Sequence, residues 1–261
     1  MIREINILRN HGVQYVRDLK NVELPGLFRG RPEISSNFSG EEASKLIQLC
    51  PVNAIAPRNQ AHGNTSDTEV EIEIDLGKCV FCKECAFACP EKIRFTNDYK
   101  IAVNERQSLI VKKGDKAVIF NDRLVRSEVR KLFKHSLKLR QVSAGGDNSC
   151  EMELNAAGNV NFDMGRYGIE FVASPRHADG IVITGPITEN MAEALQICYD
   201  AVPHPKIIIL VGTDAISGGI FSESNAVQRE FLDTYPVDLY VPGNPAHPLT
   251  FINGILRLIG K

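Results

Sequence analysis

The sequence predicts an α/β protein in two parts, a small α+β segment holding a cysteine cluster followed by a parallel sheet covered with helices. Three observations predict it. Five of the seven cysteines lie between Cys50 and Cys89, four of them in the run CVFCKECAFACP. Beyond residue 142, short continuously apolar runs alternate with helical patterns, as in strands buried on both faces. Three of those runs end in glycine-bearing turns: TGP at 184–186, VGTD at 211–214 and VPGN at 241–244. In open parallel sheets sites form at the carboxyl ends of the strands, so these turns should share one edge.

In chain order, residues 1–120 carry the cysteines and two strand-like runs, EVEIEIDL at 69–76 and DKAVIF at 115–120. The polar stretch QAHGNTSDTE at 60–69 reads as a turn or insertion. Residues 121–141 place Leu124, Val125, Val129, Leu132, Phe133, Leu137 and Leu139 at helical spacing among seven basic residues. That pattern predicts a basic amphipathic linker helix, either packed with a solvated face or touching a membrane surface or an acidic partner. Residues 142–261 then give strands at 169–174, 179–185, 205–212 and 237–243, with a helix over 188–202.

A net charge of −2 gives no global electrostatic case for nucleic acid. The N-terminus MIREINILRN has no apolar signal-peptide region, and no apolar run approaches the ~18 residues of a membrane span. Clustered cysteines suggest metal ligation in a reducing compartment more than a disulfide framework.

The run from Cys79 to Pro90 has the spacing C-x2-C-x2-C-x3-C-P of bacterial ferredoxins. In such runs the first three cysteines hold one 4Fe-4S cluster and the fourth ligates another. Upstream, LCPVNAI around Cys50 looks like the end of a second run, whose other ligand positions hold Gly40, Ala43 and Leu46. The crossed wiring then makes Cys50, Cys79, Cys82 and Cys85 one all-cysteine 4Fe-4S site and leaves Cys89 an orphan thiol. A zinc site on the same cysteines is the competing reading, and this spacing is far less typical of it. One such cluster implies one-electron transfer, and no catalytic residue is identified on the chain.

FRGRPE at 28–33, LCPVNAI and LGKCVFCKECAFACP together resemble the two-cluster ferredoxin-like subunit of formate hydrogenlyase and its complex I relative. GGDNSCEMEL at 145–154, FDMGRYGIEFVASPRHADGIVITGPIT at 162–188, GTDAISGGIF at 212–221 and VPGNPAHP at 241–248 closely resemble the small subunit of group 4 nickel–iron hydrogenases, a family that includes the complex I 20 kDa subunit. The resemblance implies two subunits fused in one chain: a ferredoxin-like α+β domain at 1–120, the linker at 121–141, and a flavodoxin-like α/β domain at 142–261. In the family a proximal 4Fe-4S cluster sits on cysteines of the latter's turns. Here those positions hold Asp147, Cys150, Asp214 and Asn244, so the proximal cluster is expected to be absent. Two options stay open: a harder metal on Asp147, Cys150, Asp214 and His247, or plain polar turn residues. Glu151 would face the large subunit; Arg176 and His177 read as structural, and Cys198 as core.

The resemblance implies one 4Fe-4S cluster and an electron-transfer and scaffolding role. Its implied partners are a hydrogenase-like or complex I-like large subunit and membrane subunits, with a soluble ferredoxin or dehydrogenase as an optional donor and no nucleic acid. Its implied location is cytoplasmic, peripheral to the inner face of the cell membrane. Two alternatives compete: a non-redox assembly subunit, and a hydrogenase small subunit with unusual ligands.

Overall fold

The computed structural model describes residues 2–12, 15–58 and 69–261. The turn read at 60–69 lies outside the described residues except for Glu69. After a helix α1 (Ile2–His11), the first half runs β1 (Pro32–Ile34), α2 (Gly40–Leu49), β2 (Ile55–Pro57), β3 (Ile72–Asp75), α3 (Glu84–Ala88), β4 (Ile93–Phe95) and β5 (Ile110–Val111). Outer strands β1 and β4 pair antiparallel, as do inner strands β2 and β3, with β5 beside β3. The result is two β–α–β units facing each other. Helix α2 starts at a reciprocal cap in which Ser39 and Glu42 satisfy each other's backbone N–H groups.

The second half contains α4 (Ser127–Phe133), β6 (Leu137–Ser143), α5 (Ser149–Ala157), β7 (Ile169–Phe171), β8 (Gly180–Thr184), α6 (Glu189–Ala201), β9 (Ile207–Val211), α7 (Thr213–Ser217), α8 (Glu230–Thr234), β10 (Leu239–Val241) and α9 (Pro248–Ile259). The sheet is all parallel, with spatial order β7-β6-β8-β9-β10. Counted along the chain this is 2-1-3-4-5, the flavodoxin-like order, whose ligand crevice lies between the first and third strands. Successive side chains of a strand face opposite ways, and the core follows that rule. Ile181, Ile183, Ile208 and Leu210 pack with α6, α8 and the first-half residues Ile72, Ile74 and Phe81. Val182, Ile207, Ile209 and Val211 pack with α9 on the other face. The first half therefore shares the core under one face, and its Leu19, Tyr99, Ala102 and Phe120 join the core under the other.

Two expectations fail. The helix predicted over 121–141 shrinks to α4, and Leu137–Ser143 is instead β6, which lies between β7 and β8 in the sheet. Its alternation of buried Leu137 and Leu139 with polar Lys138 and Arg140 has period two, and Lys138 and Arg140 find partners in Glu170 and Cys198. The run 115–120 forms no strand, although Val118 and Phe120 are buried. Among the described residues no helix is long and apolar enough to cross a membrane.

Candidate metal centre

The loop after β3 is bent into a cup by left-handed backbone at Phe81 (φ 54°) and Lys83 (φ 74°), a conformation non-glycine residues adopt only when their surroundings hold them there. Cys50 caps the end of α2 opposite. Between them Cys50, Cys79, Cys82 and Cys85 line one cavity, walled by Val52, Ile55, Ile74 and Phe95. The four thiols are free, and two already receive backbone donors: Ala54 N–H reaches Cys50 Sγ at 3.2 Å and Phe81 N–H reaches Cys79 Sγ at 3.3 Å. Burial, reinforced by the neighbouring thiols, pushes the Cys79 thiol up to about 12 and Cys85 up to about 11. Ligation by iron therefore has to displace thiol protons.

These features fit a 4Fe-4S cluster: four soft donors, an apolar wall and N–H groups directed at sulfur. Among the described residues no three or more His, Cys, Asp or Glu side chains are arranged to hold a single metal ion. A zinc site needs such convergence onto one atom, whereas the four thiolates of a cluster bind different irons. Cys89, at the end of α3, does not line the cavity. On the matching side of the other β–α–β unit, Ala43 and Leu46 are buried, and with Phe38 they fill the interior.

Two arginines hold this half together. Arg29 Nη1 donates to the carbonyls of Phe81 and Cys82 at 3.1 and 3.2 Å, bracing the cysteine loop. Arg31, 3% exposed, donates to the carbonyls of Asp115 and Lys116 and pairs with Glu33. The link to the sheet is direct: the Thr213 hydroxyl, at the turn after β9, donates to Cys79 O at 2.9 Å and lies 3.1 Å from Gly243 O.

The second group of candidates sits at the carboxyl ends of β6, β8, β9 and β10. The turns after these strands touch: Gly212 N–H donates to Val241 O, Thr213 N–H to Gly243 O, and Gly146 packs on Gly185. Cys150, in the first turn of α5, is buried against Gly212, and burial pushes its thiol up to about 11. Asp147 is exposed, and its carboxylate accepts from the Ser149 N–H and hydroxyl, which hold its pKa below the usual carboxylate value. Asp214 differs: its Oδ1 is buried and has no donor, and burial, then Asp147 and Glu151, raise its pKa. Glu151 accepts from Ser143 and Thr184, tying α5 to β6 and β8.

Asn244 and His247 flank Ala246, whose backbone hydrogen-bonds to the Cys150 thiol. They line a cavity of about 300 Å3 with Phe28, Arg29, Val80 and Phe81, between this edge and the cysteine loop. His247 Nδ1 accepts from Leu249 N–H at the start of α9, so its lone pair is used in capping. Arg176 and His177 are exposed in a turn before β8, at the opposite edge of the sheet. Cys198 is half-buried on α6 beside Arg140. Sequence reading missed Thr213, Arg29 and Ala54, whose roles are backbone contacts that no spacing announces.

Comparison with known proteins matches residues 148–258 to the family described as NADH ubiquinone oxidoreductase, 20 Kd subunit, and residues 72–94 to the 4Fe-4S binding domain. The chain is 36% identical over 120 residues to a "Probable membrane-bound hydrogenase subunit" of Pyrococcus furiosus, covering 46% of this chain and 72% of that protein. It is 39% identical over 135 residues to an uncharacterized protein of Methanocaldococcus jannaschii, covering 51% of this chain and 90% of that one. It is 45% identical over 113 residues to an NADH-quinone oxidoreductase subunit of Heliobacterium modesticaldum, covering 43% of this chain and 65% of that protein. Covering 72% and 90% of two of these relatives, with residues 148–258 matching the family model and a 4Fe-4S motif ahead of them, the chain belongs to the NADH ubiquinone oxidoreductase 20 kDa subunit family.

Proposed function

We propose that the chain is an electron-transfer and scaffolding subunit of a membrane-associated oxidoreductase assembly related to hydrogenases and complex I. It carries one 4Fe-4S cluster on Cys50, Cys79, Cys82 and Cys85 and no proximal cluster. Residues 1–120 act as a ferredoxin-like module and 142–261 as the 20 kDa-type module, as if two neighbouring subunits were joined, with 121–141 passing between them. The paired outer and inner strands of the two β–α–β units favour the ferredoxin-like reading.

The carrying observation is the contrast between two sites on one chain. Four free thiols share an apolar cavity with N–H groups on their sulfurs. At the sheet edge one thiol, Cys150, meets Asp147 and Asp214, while Asn244 lines the neighbouring cavity. A thiolate set suits iron–sulfur; one thiol, two carboxylates and an amide do not. A bound cluster supplies one-electron transfer. The protein's part is to shield it with Ile55, Ile74 and Phe95 and to brace its loop through Arg29 and Thr213. The implied partners are a hydrogenase-like or complex I-like large subunit against the sheet edge and membrane subunits further out. The implied place is the cytoplasmic face of the cell membrane. A soluble ferredoxin or a dehydrogenase is the donor this arrangement would accept.

The test is a pair of variants purified without oxygen and read by EPR after reduction. Cys50→Ser abolishes the cluster signal and Cys89→Ser leaves it intact; the reverse result refutes the ligand assignment.

A further inference from the structure

A further cavity, of about 500 Å3, opens away from both sites, between α9, the chain around Lys20, the 98–100 loop and residues 117–118. Four cations line it: Lys20, Lys100, Arg257 and Lys261, the last already donating from Nζ to Tyr167 O. The single carboxylate in the wall, Asp98, is already engaged, accepting from Lys100 N–H at 2.9 Å and lying 3.5 Å from Arg31 Nε. Asp122, the other acid that acts on Arg257, is bonded to Arg130. Among the described residues neither the Lys20 ammonium nor the Arg257 guanidinium has a hydrogen-bond acceptor; Arg257 rests over the Phe120 ring at 4.6 Å. Lys100 Nζ reaches Asn21 Oδ1 at 3.4 Å and lies 5.9 Å over the Tyr99 ring.

The wall also holds Asn253. It is 6% exposed, it sits in a helix buried mostly through apolar residues, and its amide has no partner among the described residues. Its amide faces the cavity, where it is free to bond a group that arrives from outside.

We propose that this cavity binds a phosphate ester. Several cations at different angles and an amide donor suit a group with three terminal acceptor oxygens and a charge near −2. The cavity is larger than one phosphate needs, and Ala117, Val118 and Leu256 offer an apolar wall to an organic substituent. Such an ester can be the headgroup of an acidic phospholipid or a soluble metabolite. The assignment does not depend on the cluster reading.

The experiment uses the full chain with its cluster loaded. Calorimetry measures glycerol 3-phosphate binding in chloride buffer. Co-sedimentation measures binding to phosphatidylcholine vesicles with and without phosphatidic acid. Saturable binding in either arm, weakened about tenfold or more by the pair Lys100→Gln and Arg257→Gln, supports the site. Lys20→Gln, which breaks no hydrogen bond among the described residues, repeats the test should the pair disturb folding. Binding of the soluble ester alone identifies a metabolite, and a phosphatidic acid-dependent pellet identifies the lipid headgroup. Absence of binding in both arms, or binding unchanged by these substitutions, overturns the proposal.

Discussion

Asp214 stands where the family resemblance expects a thiolate, and its carboxylate is poorly served there. Its Oδ1 is buried with no donor, and Asp147 and Glu151 add like charge. A carboxyl pKa raised in the folded state gives stability that is present below the ordinary value of 3.8 and lost as pH rises through the raised value. Asp214→Asn should therefore raise the thermal midpoint at about pH 8, with the gain fading toward about pH 4; a gain of equal size at both ends would disprove the charge argument. Thr213 gives the complementary case. Its hydroxyl joins the cysteine loop to the β9 turn, so Thr213→Val should cost about 1–2 kcal/mol, or a midpoint ~2–8 °C lower by calorimetry. An unchanged midpoint would show that this bond does not couple the halves.

At the scale of elements, what could be read from the sequence depended on how local the signal was. Strand β9, Ile207–Val211, is apolar throughout because both faces are covered, and the positions of β7 to β10 were legible. β6 was not. Its Leu137 and Leu139 alternate at period two, but Leu132 and Phe133 just before them extend the count into a helical pattern. The 115–120 run buries Val118 and Phe120 without a neighbouring strand to pair with, and burial alone does not make a ladder. At the metal centre the cysteine spacing was legible, whereas the N–H donors of Ala54 and Phe81 and the brace from Arg29 arise from the fold. The turn after β9 carries its own prediction. Gly212 has φ +91°, and a Cβ there would lie 2.4 Å from Cys150 Sγ. Gly212→Ala should destabilise by about 1–3 kcal/mol or more, seen as a lower denaturant midpoint. A neutral result would mean that Cys150 can move aside.

At the scale of the whole molecule, the two halves are one packed body. Val103 and Tyr240 exchange backbone hydrogen bonds of 3.0 and 2.7 Å across the boundary, and Gly254 lets Ala102 lie against α9. The shared core places the cysteine cavity under the edge where the resemblance puts the proximal cluster, with the Asn244–His247 cavity between. The proposed electron route thus has one station on this chain, and an onward path has to use a cofactor or subunit outside it. The most direct test is iron and acid-labile sulfide counting on chain purified without oxygen. About four irons and four sulfides per chain, with a single, non-interacting EPR signal, are expected. About eight irons with two interacting signals would contradict the single-cluster reading.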